Sequence, residues 1–310
     1  MSFRIIHGWK HLGPDDRGAA VALGNFDGVH LGHQEVIAEA AQAARKLGAP
    51  LGVISFEPHP RRLFQPEEPA FRLMTPDQQA RALAALGVER FYVLPFDFEM
   101  ANFTDRGFAE SVLAGGLGVK HVAVGFDISF GKGRTGSPEA MAEYGRELGF
   151  TVSVAEPVGE EGHKYSSTAI RQALRDGHPD EAAAMLGRPF AIEGVVRRGQ
   201  QLGRKLGFPT ANVMIADYVV PRLGVYATRT RLPDGRVYPG VANIGNNPTT
   251  GEVETRLEVW LFDFDEDLYG QVIETELAAF LRPEEKFGSI ELMVEQIHRD
   301  EAQARKLLGA

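Results

Sequence analysis

Hydrophobic positions in the first half of the chain form short apolar runs that alternate with segments of helical spacing. The apolar runs predict five buried strands, at residues 21–23, 51–56, 90–94, 121–125 and 151–155. Helices are predicted between them, near residues 34–40, 77–86, 105–113 and 138–148. Strands that alternate with helices imply right-handed crossovers and a parallel sheet covered on both faces. Ligands on such a sheet bind outside the carboxyl ends of the strands.

The pattern changes near Gly187-Arg188-Pro189. Beyond that point, strands of mostly antiparallel type are predicted at residues 190–196, 224–230, 236–243, 255–262 and 272–281. Several strands of similar length, joined by short turns, indicate a small closed or nearly closed barrel. Ser289–Leu308 has the apolar spacing of one amphipathic helix. We therefore expect an α/β domain at residues 1–186 and a β domain at residues 187–310.

Composition narrows the possible functions. A length of 310 residues fits two domains. The net charge of −9 argues against a general nucleic-acid binder, which needs a basic face. The chain has no cysteine, which excludes a disulfide framework and a thiolate metal site. The first residues lack the apolar region of a signal peptide, and no stretch approaches about 20 uninterrupted apolar residues. We expect a cytoplasmic protein with no membrane partner.

The segment Val21–His33 predicts a strand, a loop and the start of a helix. Such a junction attracts anions, because free backbone N–H groups and the positive end of the helix dipole face the loop. Gly28 and Gly32 let a phosphate approach the backbone closely. The spacing of His30 and His33 can turn both rings to one side, where they could stabilise charge on a phosphorus centre. A metal pair or two surface histidines are the alternatives.

The sequence GNFDGVHLGHQ in this segment resembles the signature of the HxGH nucleotidyltransferases. Its GxFDGVHxGH form is similar to that of the prokaryotic bifunctional riboflavin kinase/FMN adenylyltransferases (FAD synthetases). The resemblance implies a Rossmann-like nucleotidyltransferase domain with catalytic roles for His30 and His33. It also implies ATP or phosphate contacts from five residues of the loop: Gly24, Phe26, Asp27, Gly28 and Gly32.

The segment Phe56-Glu57-Pro58-His59-Pro60-Arg61-Arg62 follows the second predicted strand. Its two prolines predict an extended, rigid loop that carries a histidine and two cations. A proline-stiffened connector with solvated arginines is the alternative. The segment resembles the PHP segment near the flavin site of these synthetases, which implies flavin contacts from Phe56, Pro58 and His59.

Residues 125–136 contain four glycines and two cations, which suits a loop that wraps a nucleotide. A mobile surface loop is the alternative. The segment resembles the family's GxDFxFGxxRxG pattern, which implies ATP contacts from Asp127 and Arg134. Two positions depart from the pattern: Ile128 replaces the commoner Phe, and Ser129 lies where a larger side chain is frequent.

The segment Tyr165–Arg171 precedes a helix predicted at residues 172–175. Its hydroxyls can cap the helix and donate to phosphate oxygens, while its arginine supplies a forked cation. An N-cap alone would explain one hydroxyl, but it would not explain three hydroxyls together with an arginine. The segment resembles SSTxIR, which grips the departing pyrophosphate in this superfamily. The residues to which this role would fall are Ser166, Ser167, Thr168 and Arg171.

Residues 199–212 combine spaced glycines, two cations and a Thr/Asn pair. A glycine-rich hairpin loop is the plain interpretation, since the Walker pattern GxxxxGK[ST] is absent. The sequence LGFPTAN, however, resembles the riboflavin kinase signature. The resemblance implies that Thr210 and Asn212 hold Mg²⁺ and the nucleotide phosphates. It also implies phosphate contacts from Gly203, Lys205 and Gly207.

Three later segments, between residues 240 and 287, agree with this resemblance. They imply flavin contacts from Asn243 and Arg282 and a general base at Glu258. Residues two apart on a strand share a face, so Glu258 is expected to lie beside Arg256 and Trp260. A solvent-side carboxylate paired with Arg256 is the alternative. The family usually has His at the position of Trp260.

The resemblance covers nearly the whole chain and implies two activities. The C-terminal domain would phosphorylate riboflavin with ATP, giving FMN and ADP. The N-terminal domain would adenylylate FMN with a second ATP, giving FAD and pyrophosphate, with Mg²⁺ as the cofactor. An HxGH transferase for another phosphorylated acceptor, such as phosphopantetheine, leaves residues 187–310 unexplained. A non-catalytic flavin and nucleotide sensor predicts decay at the catalytic positions, which are all present.

Overall fold

A computed structural model describes residues 2–160, 163–199, 203, 206–215, 217–249 and 252–310. The chain forms two compact units. Unit 1 comprises Met1–Glu68 and Pro76–Tyr165, and unit 2 comprises Pro69–Thr75 and Ser166–Ala310. By this division, residues 166–186 belong with the C-terminal strands. The domain boundary at residue 187 stays a prediction from the change of sequence pattern.

Unit 1 is built on a parallel sheet, as the sequence pattern predicts, but the sheet has six strands where the pattern predicts five. Its strands are β1 Arg4–His7, β2 Ala20–Leu23, β3 Leu51–Glu57, β4 Arg90–Pro95, β5 His121–Gly125 and β6 Thr151–Ala155. Their order across the sheet is β1-β4-β3-β2-β5-β6. The sequence did not predict β1, because only Ile6 of its four residues is buried at this edge of the sheet. All four residues of the central strand β2 are buried.

The helices of unit 1 connect successive strands. They are α1 Leu31–Leu47, α2 Pro60–Phe64, α3 Pro76–Ala85, α4 Phe98–Asn102, α5 Asp105–Phe108 and α6 Pro138–Leu148. Helix α5 continues as a π-helix over Ala109–Leu117, and 3₁₀ turns occupy Pro14–Asp16 and Lys132–Arg134. A short hairpin pairs β7 Gly159–Glu160 with β8 His163–Lys164.

In the part of unit 2 that the structure describes, helices lie before and after a β-sheet. Its helices are α7 Ser167–Asp176, α8 Pro179–Leu186 and α9 Ile290–Leu308. Its strands are β9 Phe190–Val195, β10 Ala211–Met214, β11 Gly224–Arg231, β12 Val237–Thr249, β13 Glu252–Leu261 and β14 Val272–Arg282. They form an antiparallel sheet in the order β10-β13-β12-β11-β14-β9.

The sheet of unit 2 curls back on itself. Beyond β9, the Arg197 N–H donates to the Asn212 carbonyl of β10 at 2.8 Å, so the two edges of the sheet meet. This contact confirms the nearly closed barrel that the sequence indicated. The sequence pattern predicts five of the six strands. The sixth, β10, begins within the glycine-rich segment of residues 199–212, for which the plain interpretation is a hairpin loop.

The core of unit 2 extends beyond the barrel. Ile170 and Leu174 of α7 are buried in one cluster with Phe190 of β9. The segment Pro69–Thr75 joins the same core through Leu73. Its backbone is held at Arg72, whose N–H donates to Asp217 O at 3.1 Å and whose carbonyl accepts from Val219 N–H at 2.8 Å.

Candidate active sites

Two histidines stack at the start of α1 in unit 1. His30 is the N-cap residue, and its Nδ1 accepts a hydrogen bond from the His33 backbone N–H at 3.3 Å. The two ring centroids lie 3.6 Å apart with an interplanar angle of 21°. Because Nδ1 of His30 accepts, the neutral ring carries its proton on Nε2, which is therefore a donor. The spacing-based expectation that both rings turn to one side is confirmed.

The loop before the histidines is strained. Phe26 has φ 52° and Val29 has φ 42°, although both side chains are almost fully buried. A positive φ is an outlier for a β-branched residue and costs on the order of 1–3 kcal/mol. The carbonyl of Asn25 helps to fix the loop, because it accepts from Ser55 Oγ and Gln79 Nε2, both at 2.9 Å. Strain that the fold retains in this way is typical of functional loops.

The glycines of this loop supply space and backbone freedom. Gly28 has φ 90°, which a side chain would disfavour. At Gly32, a Cβ atom would lie 3.2 Å from the His30 ring and 3.4 Å from the Tyr165 carbonyl. Asp27, also expected to contact ATP, is buried beside them. The loop thus combines a helix N-terminus with a stretch of backbone that a phosphate could approach closely, as an anion site requires.

An aromatic cavity of about 590 Å³ opens beside the histidine loop. It is lined by four residues that the sequence assigned to nucleotide or flavin contacts, Gly24, Phe56, His59 and Arg134. Much of the wall is aromatic and includes Phe64, Phe96, Phe103, Phe108 and Phe130. Aromatic faces around a concave pocket suit a flat, partly apolar ring ligand.

The PHP segment differs from the predicted extended loop. Strand β3 ends at Glu57, and Pro60 already occupies the first turn of α2. Nδ1 of His59 accepts from the Arg61 backbone N–H at 3.2 Å and so caps that helix. Proline is well tolerated at a first helical position, because the N–H that it lacks has no partner there. Pro58 precedes this cap, and its flavin contact stays a prediction.

The glycine-rich loop of residues 125–136 explains one departure from the family pattern. Arg134 has φ 59°, and its Nε donates to Ser129 Oγ at 2.8 Å. A small hydroxyl at position 129 therefore orients the arginine that lines the cavity. Ile128 packs against the core of unit 1.

Asp127 forms an ion pair with Lys164 of β8. The Lys164 Nζ atom also lies 4.6 Å from the centroid of the Phe126 ring. The sequence reasoning missed Lys164, which no motif included. The ATP contact expected of Asp127 stays a prediction, with this lysine as its observed partner.

The serine-rich segment that resembles SSTxIR begins α7 and belongs to unit 2. Ser166 is the N-cap, and its Oγ accepts from the Ala169 N–H at 3.2 Å. The helix starts at Ser167, so Thr168 and Arg171 lie inside it, contrary to the predicted start at 172. Arg171 is buried, and its Nε donates to the Phe71 carbonyl at 2.6 Å.

A cavity of about 440 Å³ in unit 2 brings together most residues assigned to the kinase site; we call it the Glu258 cavity. Among its lining residues are Gly203, Thr210, Asn212, Asn243, Glu258 and Arg282. Gly207 lies nearby in sequence with φ 91°, and Lys205 lies outside the described residues.

Thr210 and Asn212 also line a second cavity of unit 2, of about 360 Å³. The start of β10 therefore borders two cavities at once. The amide of Asn212 is packed against Gly199, where a Cβ atom would lie 2.7 Å from its Cγ. Two adjoining cavities are what a reaction between two substrates needs.

Glu258 lies in a row of polar side chains across three strands. It is the register partner of Asn212 on β10 and of Asn243 on β12, so the three side chains share one face. Leu257 and Val259 are fully buried on the opposite face, which confirms the predicted alternation. Burial raises the pKa of the Glu258 carboxyl, Arg256 lowers it, and Glu284 raises it further.

Arg282 is anchored by a carboxylate that the sequence reasoning missed. Its Nε and Nη2 donate to Asp300 of α9 at 2.8–3.1 Å, and its Nη1 donates to the Pro283 carbonyl at 3.1 Å. Asp300 is buried and also accepts from Gln296 Nε2 at 2.9 Å. Helical spacing could have pointed to Asp300, since it lies on the predicted amphipathic helix among apolar positions.

Trp260, at the position where the family usually has His, is part of an aromatic cluster. Its ring lies edge-on to Phe208 at 4.9 Å and to Phe262 at 5.1 Å between centroids. It also lines the Glu258 cavity. The substitution therefore supplies an apolar wall at this point.

Fold and residues together define a two-unit transferase, with an α/β unit followed by an antiparallel near-barrel. Residues 13–169 match the family model described as FAD synthetase, and residues 186–308 match the one described as riboflavin kinase. The chain therefore belongs to the bifunctional riboflavin kinase/FMN adenylyltransferase family, as the motifs indicated.

Similarity to individual relatives extends over the full length. The bifunctional riboflavin kinase/FMN adenylyltransferase of Pseudomonas fluorescens is 41% identical over 305 residues, covering 98% of this chain and 97% of the relative. That of Escherichia coli K12 is 39% identical over 307 residues, covering 99% and 98%. That of Bacillus subtilis is 38% identical over 309 residues, covering 98% and 96%.

A solved structure shares the fold. It is described as a macrolide-efflux protein from Streptococcus pneumoniae, with a TM-score of 0.88 and 33% identity, and the match covers 98% of this chain and 99% of that one. In the part of the chain that the structure describes, no helix is both long and apolar enough to cross a membrane.

Proposed function

We propose that unit 2 phosphorylates riboflavin with ATP and that unit 1 transfers the adenylyl group of a second ATP to the resulting FMN. The observation that carries the proposal is that each unit holds its own set of reactive side chains beside a cavity. Unit 1 has the stacked pair His30 and His33, and unit 2 has Glu258 between two asparagines. An adenylyltransferase for another acceptor would account for the two histidines of unit 1 but not for Glu258 in unit 2. A non-catalytic flavin and nucleotide sensor would need neither set of side chains.

In the adenylyl transfer, the FMN phosphate attacks the α-phosphorus of ATP and pyrophosphate leaves. The Nε2–H of His30 and the ring of His33 stabilise the charge that develops on the α-phosphate oxygens. The N-terminus of α1 adds backbone donors. The aromatic cavity suits the flavin ring, with Phe56 and His59 at its wall. Pyrophosphate contacts from Ser166, Ser167, Thr168 and Arg171 are proposed from the motif alone.

In the kinase reaction, Glu258 takes the proton from the riboflavin 5′-hydroxyl while that oxygen attacks the γ-phosphorus of ATP. The pKa of Glu258 is raised, chiefly by burial, and a higher pKa makes a carboxylate a better proton acceptor. The flavin occupies the Glu258 cavity beside Asn243, and the nucleotide occupies the second cavity. Thr210 and Asn212 border both cavities, where the phosphoryl group passes.

Mg²⁺ fits the residues at this border. A hydroxyl and an amide oxygen are hard oxygen donors, and Mg²⁺ is commonly held by few protein ligands together with substrate phosphates. Within the described residues there is no cluster of three His, Cys, Asp or Glu that would form an all-protein cage. Thr210 and Asn212 would hold the ion, which would neutralise phosphate charge.

We further propose a cytoplasmic location and no nucleic-acid partner.

The test is an incubation of purified protein with riboflavin, ATP and Mg²⁺, with products separated by chromatography. The expected products are FMN first and FAD later, with ADP and pyrophosphate. A transferase for another acceptor gives neither flavin nucleotide, and a sensor binds flavin without consuming ATP. Supplying FMN in place of riboflavin isolates the second reaction.

A further inference from the structure

Trp260 lies where the wall of the Glu258 cavity changes from polar to apolar. It follows Glu258 by two residues on β13, so the two side chains share one face of the sheet. Glu258 lies in the polar row with the two asparagines of β10 and β12. On the side of Trp260, the wall continues with Val241, its register partner on β12, and with Val225 of β11. The cavity therefore has a polar part around Glu258 and an apolar part around Trp260.

Helix α9 supplies further apolar side chains to this part of the cavity. Met293 and Ile297 both line it, and residues four apart on a helix lie on the same face. Trp260 also packs against an apolar cluster that includes Phe262 of the segment after β13 and Ala304 of α9. The apolar part of the cavity is thus bounded by strands of the sheet and by a helix, which suits a flat ring with apolar faces.

The plane of the Trp260 ring is fixed by its aromatic neighbours. The interplanar angle is 80° with Phe208 and 76° with Phe262, so both contacts are edge-on. Phe208 is itself edge-on to His298 of α9, at 5.2 Å between ring centroids. Trp260 stays partly exposed, and it is this part that lines the cavity. A ring that is already held in one orientation loses little conformational freedom when a ligand binds to it.

The distance from Glu258 to Trp260 matches the shape of riboflavin. A strand rises roughly 3.3 Å per residue, so the two residues lie about 7 Å apart along β13. The extended ribityl chain, which joins the 5′-hydroxyl to the flavin ring, spans a similar length. In the opposite direction along the strand, the wall carries the charged side chains of Arg256, Glu284 and Glu285, which suit an apolar ring less well. With the 5′-hydroxyl at Glu258, the ring therefore reaches Trp260.

We propose that Trp260 contacts the isoalloxazine ring of riboflavin in the kinase site and that this contact sets how tightly the kinase binds its flavin substrate. The proposal rests on the assignment of riboflavin phosphorylation to unit 2. The indole and the isoalloxazine are both flat aromatic systems, which stabilise each other when stacked. Indole also buries more apolar surface than the imidazole that the family usually has here, so the ring contact is stronger in this chain.

The first test measures riboflavin phosphorylation by Trp260→His and Trp260→Phe, with FMN and FAD counted together as product. KM for riboflavin should rise several-fold in Trp260→His and less in Trp260→Phe, which keeps an apolar aromatic ring. The value of kcat at saturating riboflavin should stay close to that of the wild type, because Trp260 does not contact the reacting atoms. Lumiflavin carries the flavin ring without the ribityl chain. Its inhibition constant against riboflavin should rise by the same factor as KM.

The second test measures the fluorescence of riboflavin bound in the presence of ADP and Mg²⁺, which permit no phosphorylation. An indole in contact with an excited flavin donates an electron to it and quenches its emission, whereas a phenyl ring does not. Among the described residues that line the cavity, Trp260 carries the only indole, and none is a tyrosine. Bound riboflavin should therefore be quenched by the wild type and should emit more strongly when bound to Trp260→Phe or Trp260→His.

The matched control is Phe280→His, which removes a partly buried aromatic ring from β14 of the same sheet. Phe280 is edge-on to Tyr226 at 5.2 Å, and it is not among the described residues of the cavity wall. This variant should match the wild type in KM for riboflavin, in inhibition by lumiflavin and in the fluorescence of bound riboflavin.

The outcomes distinguish this proposal from the one on which it rests. If the wild type forms no FMN from riboflavin, the kinase assignment itself fails. If the wild type forms FMN while both Trp260 variants keep its KM and its quenching, the flavin ring lies elsewhere and the proposal is overturned. A rise in KM without a matching change in lumiflavin inhibition would overturn it too, since the effect would then lie outside the ring. An equal rise in Phe280→His would assign the effect to a general disturbance of the sheet.

Discussion

At the scale of single residues, the two sites use different physical means. The histidine loop depends on backbone geometry, since Phe26 and Val29 hold left-handed conformations while His30 caps α1. The kinase site depends on register, since pairing of β10, β12 and β13 aligns Glu258 with two asparagines. Strain at the loop is retained because the buried side chains beside it leave few other conformations.

Replacing either His30 or His33 by Ala should suppress conversion of FMN into FAD. Loss of one preorganised donor to a transition-state oxyanion typically costs about 3 kcal/mol, on the order of a hundredfold in rate. Riboflavin phosphorylation by the same protein should stay near normal and serves as the control. Equal loss of both activities would mean that the loop is structural, and metal-dependent binding through both histidines would favour the metal-pair alternative.

Replacing Glu258 by Gln keeps the shape of the side chain and removes the proton acceptor. A general base contributes typically 10²–10⁴-fold, so FMN formation should fall by that order. Conversion of supplied FMN into FAD should be unchanged. If phosphorylation persists at the wild-type rate where chemistry limits turnover, Glu258 is a surface partner of Arg256.

At the scale of elements, the sequence predicted the strongly periodic segments and missed short or polar ones. The buried strand β2 and the terminal helix α9 were predictable because their apolar spacing is regular. β1 and β10 were not, because pairing with neighbours rather than their own pattern makes them strands. Helix α2 begins at Pro60, after the cap that His59 provides. The sequence analysis instead interpreted the two prolines of this segment as the mark of an extended loop.

In the candidate sites, the sequence predicted only residues that lie within recognisable motifs. The motifs supplied Glu258, Thr210 and Asn212, and the structure brings these together in one cavity. Asp300 and Lys164 could not be found in this way, because no motif includes them and each acts through a contact with a segment that is distant in sequence.

The contact between β14 and α9 should depend on Asp300. Replacing it by Asn leaves the partly buried Arg282 without its charged partner, which typically costs about 3 kcal/mol of the free energy of unfolding. Denaturant unfolding measures this change, and KM for riboflavin should rise as Arg282 loses its position. Asp263→Asn is the matched control, since Asp263 pairs with Arg305 of the same helix but is 79% exposed. Equal unfolding midpoints for both variants would contradict the anchoring role.

At the scale of the whole molecule, the compact units and the sequence pattern divide the chain at different places. The pattern changes at residue 187, whereas α7 and α8 share a buried cluster with the barrel strands. The reason is physical: Ile170, Leu174 and Leu186 bury their apolar side chains against Phe190. A helical pattern followed by strands does not reveal which core the helices serve.

A fragment of residues 187–310 should form FMN and no FAD if the predicted boundary is sufficient. A fragment of residues 166–310 retains α7 and α8 and should unfold at higher denaturant concentration, because it keeps the apolar surface of Phe190 and Ile192 covered. Assays of both fragments with riboflavin and with FMN measure the division of activities. FAD formation by either fragment would contradict the assignment of the adenylyl transfer to the N-terminal half.

The seven residues Pro69–Thr75 can reach their native contacts only late in the synthesis of this protein. They emerge from the ribosome long before residues 217–219, with which Arg72 forms its backbone hydrogen bonds. Until those residues are translated, Leu73 has no place in the core that buries it in the finished chain. The nascent polypeptide must therefore carry an exposed apolar segment between two parts of unit 1 while the C-terminal half is made. No single cut of the finished polypeptide leaves both units whole.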